Sequence, residues 1–283
     1  MKIPVKNIVI TGCSSGIGLA CTKAALHAGH KVIATARKAE DLLYLKELGA
    51  DAVYLELSDE ASVMAAAKDI LQLSQQHIDV LFNNAGYGLQ TAMEDTAWQD
   101  LQAQMTSNVI GPITLTNQLL PALEKKSQLI FNSSILGLVT LPFRGPYCMS
   151  KYAIEAAADA YRLELESLGI KVHVIEPGPI EANFRQTAVQ KIQHCLADKP
   201  TRLNYEPHIE RLIQEGPSLG SLPAEACSDV FMHIINGNKR KPRYLITHMA
   251  KISAILKRIL ASNFHYIAKN KPTAQQSRNF IKK

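Results

Sequence analysis

Four features of the chain could do chemistry together. Tyr147 and Lys151 stand four residues apart, the only Tyr-x-x-x-Lys pair in the sequence, and Ser134 lies thirteen residues before the tyrosine. Near the N-terminus runs a glycine-rich string, Thr11-Gly12-Cys13-Ser14-Ser15-Gly16-Ile17-Gly18. A free phenol titrates near about 10, too high for ready proton exchange at neutral pH. A lysine one helical turn later projects from the same face, and its ammonium lowers the phenol's pKa. Such a tyrosine can protonate a carbonyl oxygen or accept a proton from an alcohol. A glycine-rich turn ahead of a helix lets the backbone approach a pyrophosphate at the helix N-terminus. The chemistry this set suits is hydride exchange between a nicotinamide cofactor and a carbonyl.

The elements that must position these groups alternate. Apolar runs at 6–10, 31–35, 52–55, 78–82, 128–131 and 171–175 read as buried parallel strands, with a last strand at 243–246. Between them, helical patterns cover 39–48, 59–73 (capped by Ser58 or Asp59), 94–106, 110–124 and 149–168, and another follows at 224–236. The glycine-rich turn itself opens a helix that reaches about Ala28. Alternating strands and helices predict an α/β fold: a single Rossmann-type, doubly wound parallel sheet of about seven strands with helices on both faces. After Pro177-Gly178 the pattern loosens, and the Pro/Gly-punctuated stretch 180–222 reads as a variable lid. Residues 1–248 therefore form one catalytic domain, followed by a basic amphipathic extension over 249–283.

At the end of the second strand, an acidic residue would bind the ribose hydroxyls of NAD, whereas an arginine would attract a 2′-phosphate. The chain has Thr35-Ala36-Arg37-Lys38, two adjacent cations and no acid, so NADP(H) is expected over NAD(H).

In order and spacing, Thr11-Gly12-x-x-x-Gly16-x-Gly18, Asn83-Asn84-Ala85-Gly86, Asn108, Ser134, Tyr147-x-x-x-Lys151 and Pro177-Gly178 resemble the short-chain dehydrogenase/reductase family along almost the whole chain. Within it, Glu176-Pro177-Gly178-Pro179-Ile180 and Lys241-Pro242-Arg243-Tyr244 are similar to the retinol, hydroxysteroid and bacterial aldehyde reductase branch. The resemblance implies that Asn108, Ser134, Tyr147 and Lys151 are catalytic, with Ser134 holding the substrate oxygen and Asn108 supporting a water that relays protons to Lys151. It implies cofactor contacts from Gly12, Ser14, Ser15, Gly16, Ile17, Gly18, Arg37, Lys38, Asn84, Ala85, Gly86, Pro177, Gly178 and Ile180, and from Tyr147 and Lys151, the latter hydrogen-bonding the nicotinamide ribose. It further implies a homodimer formed through the helix at 149–168, which carries Ala153, Ala156, Ala157, Ala158 and Ala160, and its neighbour at 110–124. Two positions depart from the family pattern. Ala182, with Asn183 beside it, replaces a usual threonine, and Glu56 stands where an aspartate often meets adenine.

Composition bounds the alternatives. The five cysteines are scattered with no Cys-x-x-Cys, and the nine histidines show no His-x-x-x-His, which argues for reduced thiols in a cytoplasmic setting and against a zinc site. No apolar run approaches the ~20 residues of a membrane span. Leu136, Leu138, Val139, Phe143, Tyr87, Leu89, Phe184, Val189 and Ile192 form a mostly apolar candidate pocket, suited to a lipophilic aldehyde, ketone or alcohol. From Val230 onward there are twelve Lys/Arg and no Asp/Glu, a +12 segment on a body of −6. Within it, 249–269 has an apolar stripe flanked by cations, the profile either of an interfacial membrane helix or of a helix packing on its own domain or across a dimer. Nothing in it reads as nucleic-acid binding, since it lacks interleaved aromatics. The rival to an enzyme is a non-catalytic NADP-binding sensor on the same fold, expected to have lost Tyr147, Lys151 or Ser134.

Overall fold

The structure, a computed structural model, describes residues 4–180, 201–213, 220–237 and 241–260, together with residues 189, 192, 193 and 195. Seven strands form one sheet: β1 (Asn7–Ile10), β2 (Lys31–Ala36), β3 (Asp51–Tyr54), β4 (Ile78–Asn83), β5 (Leu123–Asn132), β6 (Lys171–Glu176) and β7 (Arg243–Leu245), in the order β3-β2-β1-β4-β5-β6-β7. Every neighbouring pair is parallel, as at Ile8↔Val32 and Ile8↔Val80.

Strands buried on both faces need apolar side chains at consecutive positions, which explains runs such as Ile8-Val9-Ile10 and Val80-Leu81-Phe82. Their alternation divides the core. Val9, Ile33, Leu81, Leu129, Phe131 and Val174 face α3 (Glu60–Leu73), α5 (Gly111–Leu119) and α6 (Gly145–Glu164). Ile8, Ile10, Val32, Ala34, Phe82 and Ile175 face α1 (Gly16–His27), α2 (Ala39–Glu47) and α8 (Glu225–Ile235). Each layer carries a stacked aromatic pair, Phe131 on Tyr161 and Phe82 on Phe231. The remaining helices are α4 (Trp98–Met105), α7 (Glu206–Ile213) and α9 (His248–Leu260).

Three boundaries differ from the sequence expectation. The catalytic helix starts at Gly145 rather than 149, because Pro146 has the backbone angle of a first helical turn and no N–H to leave unsatisfied there. Tyr147 is thereby helical, in the same helix as Lys151. The helices expected at 94–106 and 110–124 form instead a short turn at Met93–Asp95, α4, a five-residue π-turn at Thr106–Ile110, and α5. Strand β5 begins at Leu123 rather than 128 and contains an irregularity, with Lys126 at φ 83°. Of the two candidate caps for α3, Asp59 holds the position, its carboxylate accepting from Ala61 N at 3.0 Å.

Candidate active site

Strand order reverses between β1 and β4, and the crevice outside the C-terminal ends of these strands is where open α/β sheets bind ligands. The turn after β1 is shaped by what its glycines leave out. A Cβ on Gly12, at φ 71°, would lie 2.7 Å from Ala85 Cα, and one on Gly18 would lie 2.1 Å from Gly12 O. Hydrogen bonds hold this turn against the loop after β4. Thr11 Oγ1 accepts from Asn84 N and Ala85 N, each at 3.0 Å. Asn84 Nδ2 donates to Thr11 O at 2.9 Å and Gly12 O at 3.1 Å, while its Oδ1 accepts from Asn132 Nδ2 at 2.9 Å. On the other side, Thr35 Oγ1 accepts from Gly12 N at 3.2 Å.

Ser15 caps α1 through its backbone alone, so Ser14, Ser15, Gly16 and Ile17 present the first-turn N–H groups at an exposed or half-exposed rim. A side-chain-free cradle with unspent N–H donors fits the pyrophosphate of a dinucleotide. Arg37 and Lys38 lie at the end of β2. Arg37 Nη1 pairs with Glu56 Oε2 at 3.1 Å and Lys38 Nζ with Glu40 at 3.1 Å, all near the surface except the more sheltered Glu56. Glu56 thus holds the arginine at the β2 side of the crevice. Ala182, Asn183 and Phe184 lie outside the described residues.

At the opposite end of the crevice the structure brings Ser134, Tyr147 and Lys151 together. Ser134 follows β5, and its hydroxyl, which donates to Pro177 O at 3.4 Å, lowers the pKa of the neighbouring Tyr147. The Ser134 oxygen also accepts from Leu136 N at 3.1 Å, which fixes the side chain. Burial pushes the Tyr147 phenol up to about 12, against the pull of the Ser134 hydroxyl and the Arg144 charge. Lys151 is buried, and desolvation brings it down to about 8, opposed by Glu155. Its Nζ donates to Asn132 O at 2.7 Å and sits 5.6 Å from the Tyr147 ring centre. A phenol, a hydroxyl and an amine on one wall can bind a carbonyl oxygen and move a proton to or from it.

Asn108 occupies the π-turn, a helix defect that often marks functional sites. Its Nδ2 donates to Tyr87 O at 2.8 Å and Ser150 Oγ at 3.1 Å, and its Oδ1 accepts from Tyr87 N at 3.0 Å. These contacts fasten the loop that follows Asn84-Ala85-Gly86. A Cβ on Gly86 would come within 3.1 Å of that same Oδ1. Beyond β6, a Cβ on Gly178 would lie 2.0 Å from Thr247 Oγ1, and Ile180 bridges to Leu222.

Of the pocket candidates, Leu136 and Val139 are buried with Cys148, in a cluster that takes in Leu138, Tyr147, Leu256 and Leu260. Phe143 packs with Val189, Ile192, Tyr205 and Leu212 and stacks on His208 at 5.1 Å. Leu89 and Ile192 are fully buried, as Val139 nearly is. Tyr87 is half-buried, its phenol pushed up to about 12 by burial.

Sequence reading missed three parts of this site. Asn132, a polar residue ending an apolar strand, ties Lys151 to Asn84. Arg144, three residues before Tyr147, supplies a charge that acts on the phenol. The third is a buried ionic cluster behind Lys151. Arg243 Nε reaches Glu155 Oε2 at 3.0 Å and Glu176 Oε1 at 3.4 Å, and its Nη2 reaches Asp159 at 2.7 Å. Burial, then the neighbouring Glu155, raises Glu176 well above the usual carboxylate range, and Arg243 pulls it back. The sequence signal was acids one and two turns after Lys151 and an arginine in the last strand.

Among the described residues no cluster of His, Cys, Asp and Glu could hold a metal ion, and no helix is long and apolar enough to cross a membrane. The family model for short chain dehydrogenases matches residues 6–193. The chain is 35% identical over 261 residues to the uncharacterized oxidoreductase YbbO of Escherichia coli K12, covering 92% of each chain. It is 32% identical over 280 residues to the bovine dehydrogenase/reductase SDR family member 7B, covering 93% of this chain and 81% of that one. Among solved structures, a Burkholderia phymatum short chain dehydrogenase/reductase in complex with NAD aligns with a TM-score of 0.77 at 21% identity, over 93% of this chain and 96% of that one. A Burkholderia cenocepacia short chain dehydrogenase in complex with NADP aligns at 0.69 and 20% identity, over 87% and 98%. At such identities the structural likeness concerns the fold.

Proposed function

The chain belongs to the short-chain dehydrogenase/reductase family, and from that premise we propose that it interconverts carbonyl and alcohol on a lipophilic substrate with NADP(H), using Tyr147 as general acid/base. The observation that carries this reading is the buried Lys151 amine 5.6 Å from the Tyr147 ring, with Ser134 beside them, at the end of the crevice opposite Arg37.

When bound, the cofactor supplies or accepts the hydride at the carbonyl carbon. The chain's own residues handle the oxygen. Ser134 and Tyr147 hydroxyls grip it from one side, and the apolar wall of Leu136, Leu138 and Val139 keeps water from competing. In reduction, Tyr147 gives its proton to the oxygen as charge develops, and Lys151 Nζ, oriented by Asn132 O, stabilises the phenolate that remains. In oxidation, the proton returns to the tyrosine.

Support for NADP(H) comes from Arg37 and Lys38, the two cations that follow β2 where an acid would favour NAD(H). Apolar Leu138, Phe143 and Leu256 support the lipophilic substrate. We also place a homodimer contact on α6, where Met149, Tyr152, Ala156, Ala160 and Leu163 form an exposed stripe. A monomer in light scattering at micromolar concentration would remove that contact.

The test is NADPH oxidation against aldehydes and ketones of rising apolarity, with a Tyr147→Phe variant. Turnover should climb with chain length and fall about 10²–10⁴-fold in the variant, with NADPH binding kept. A variant that turns over at the wild-type rate refutes the role of Tyr147, and preference for sugars over fatty aldehydes refutes the substrate class.

A further inference from the structure

Helix α9 has two dissimilar faces. Leu256 and Leu260 turn inward onto the cluster of Leu136, Val139, Cys148 and Tyr147. The opposite side exposes isoleucines spaced three and four apart: Ile252 at 52%, Ile255 at 58% and Ile259 at 72% exposure, with Met249 at 37% one turn earlier. A helix that only packed on its own domain would have these side chains in the interface. Scattered exposed apolar residues are ordinary, but a contiguous strip marks a surface that meets an apolar phase or a partner.

The charge around the strip selects the occupant. Lys251 and Arg258 lie one turn from Ile255 on the exposed side. From Val230 to Lys283 the chain has twelve Lys/Arg and no acid, so every charged side chain on the helix itself, Lys251, Lys257 and Arg258, is a cation. A second copy of the same surface would set cation against cation across a two-fold axis. Anionic lipid headgroups above an acyl layer match both the charge and the isoleucines. At 13 residues, α9 spans about 20 Å, too short to cross a bilayer and suited to lying in its plane.

The helix is also anchored. Thr247 Oγ1 accepts from Ala250 N at 3.0 Å, capping the first turn, and the same Thr247 side chain abuts Gly178. We propose that the outer face of α9 docks on an anionic membrane surface, setting the mouth of the catalytic crevice against the lipid. Docking stands independently of the substrate reading above, and a lipophilic substrate would then reach Tyr147 along the inner face of the same helix.

The experiment is co-sedimentation of the full chain with vesicles of phosphatidylcholine alone or with phosphatidylglycerol, comparing wild type with Ile255→Ser/Ile259→Ser. The expected result is binding to the anionic vesicles only, weakened by salt, and lost by about tenfold per isoleucine in the double variant. An unchanged melting temperature would show that the variant is folded. Three results overturn the proposal: no sedimentation of wild type, equal binding by the folded variant, or a dimer of wild type that the variant converts to monomer without lipid, which would make a second copy the occupant.

Discussion

Replacing Arg243 with methionine would test the ionic cluster that braces the catalytic helix. The guanidinium spans β7 to α6, bonding Glu155 at 3.0 Å and Asp159 at 2.7 Å and reaching Glu176 at 3.4 Å. Glu155 and Glu176 side chains are 8% and 1% exposed, so neither can turn to water when the cation goes. Asp159, half exposed and still paired to Arg162, can. At the effective dielectric of a partly buried site, one charge pair at about 4 Å is worth about 4 kcal/mol. Removing one partner of a buried pair costs about 3–5 kcal/mol. Two effects offset part of that: methionine adds apolar contact, and a stranded carboxyl can take up a proton. The net expectation is about 3 kcal/mol at pH 8. The sign of the pH dependence follows from Glu176, whose folded pKa is already raised and rises further without Arg243. A carboxyl raised in the folded state holds a proton that the unfolded chain has released, so stability falls as pH rises through the window between the two values. In the wild type Glu176 keeps its proton up to about 8, so below that value the carboxyl is protonated in both proteins and adds nothing to the gap between them. Urea unfolding followed by circular dichroism should therefore show the gap to wild type widening as pH rises from about 7 to about 9, where only the wild-type carboxyl has a cation to ionise against. A gap below about 1 kcal/mol at pH 8, or one that does not grow between about pH 7 and pH 9, would refute the idea of two dry carboxyls sharing one cation.

Gly18→Ala should weaken dinucleotide binding by about 10–100-fold, since the new methyl must displace Gly12 O and Asn84 Nδ2 at a cost of about 1–3 kcal/mol; an unchanged Kd by calorimetry counts against the cradle. With the phenol pushed up to about 12, Tyr147 is protonated across neutral pH. Reduction should thus be nearly flat from about pH 6 to 8, while oxidation climbs with pH until it meets the Tyr147 pKa of the loaded enzyme; an oxidation rate flat over that range contradicts the assignment. Arg37→Asp should lower NADPH affinity by at least about tenfold and spare NADH. Because the exposed Arg37–Glu56 pair contributes only about 0–1 kcal/mol, the melting temperature should hardly move, and equal losses for both cofactors would argue against the 2′-phosphate contact.

The fold was legible because parallel strands buried on both faces write their burial into consecutive apolar residues, and Ile8-Val9-Ile10 or Val80-Leu81-Phe82 can be read as little else. Motif residues were legible because their spacing is a property of the chain: Tyr147 and Lys151 are four apart wherever the helix begins. Boundaries were less so. Gly145-Pro146 looks like a stop until the proline is recognised as a first-turn residue, and a π-turn at 106–110 leaves no mark on periodicity. Least visible were contacts that join distant segments. Nothing about Asn132 shows that its carbonyl will meet Lys151 Nζ and its amide Asn84, and Glu155, Glu176 and Arg243 come together only once β6 and β7 lie side by side. Arg144, at a position no motif marks, adds a second cation whose charge acts on the phenol.

The pairing of β1 with β4, described above as the border of the crevice, also bears on how the molecule forms. Ile8 meets Val80 across the chain length of three βα units, so this seam closes the longest loop among the pairings of β1 to β4. Local steps can build β1 to β3 on one flank, and the segments from β4 onward on the other, before the seam closes. Parallel sheets of this kind fold slowly because loop closure must precede the contacts that reward it. The glycine turn and the Asn84-Ala85 loop straddle that seam and are bonded across it through Thr11. A dinucleotide lying over both would act as a late-stage clasp, slowing the parting of the two flanks. Resistance to proteolysis should accordingly rise with cofactor concentration.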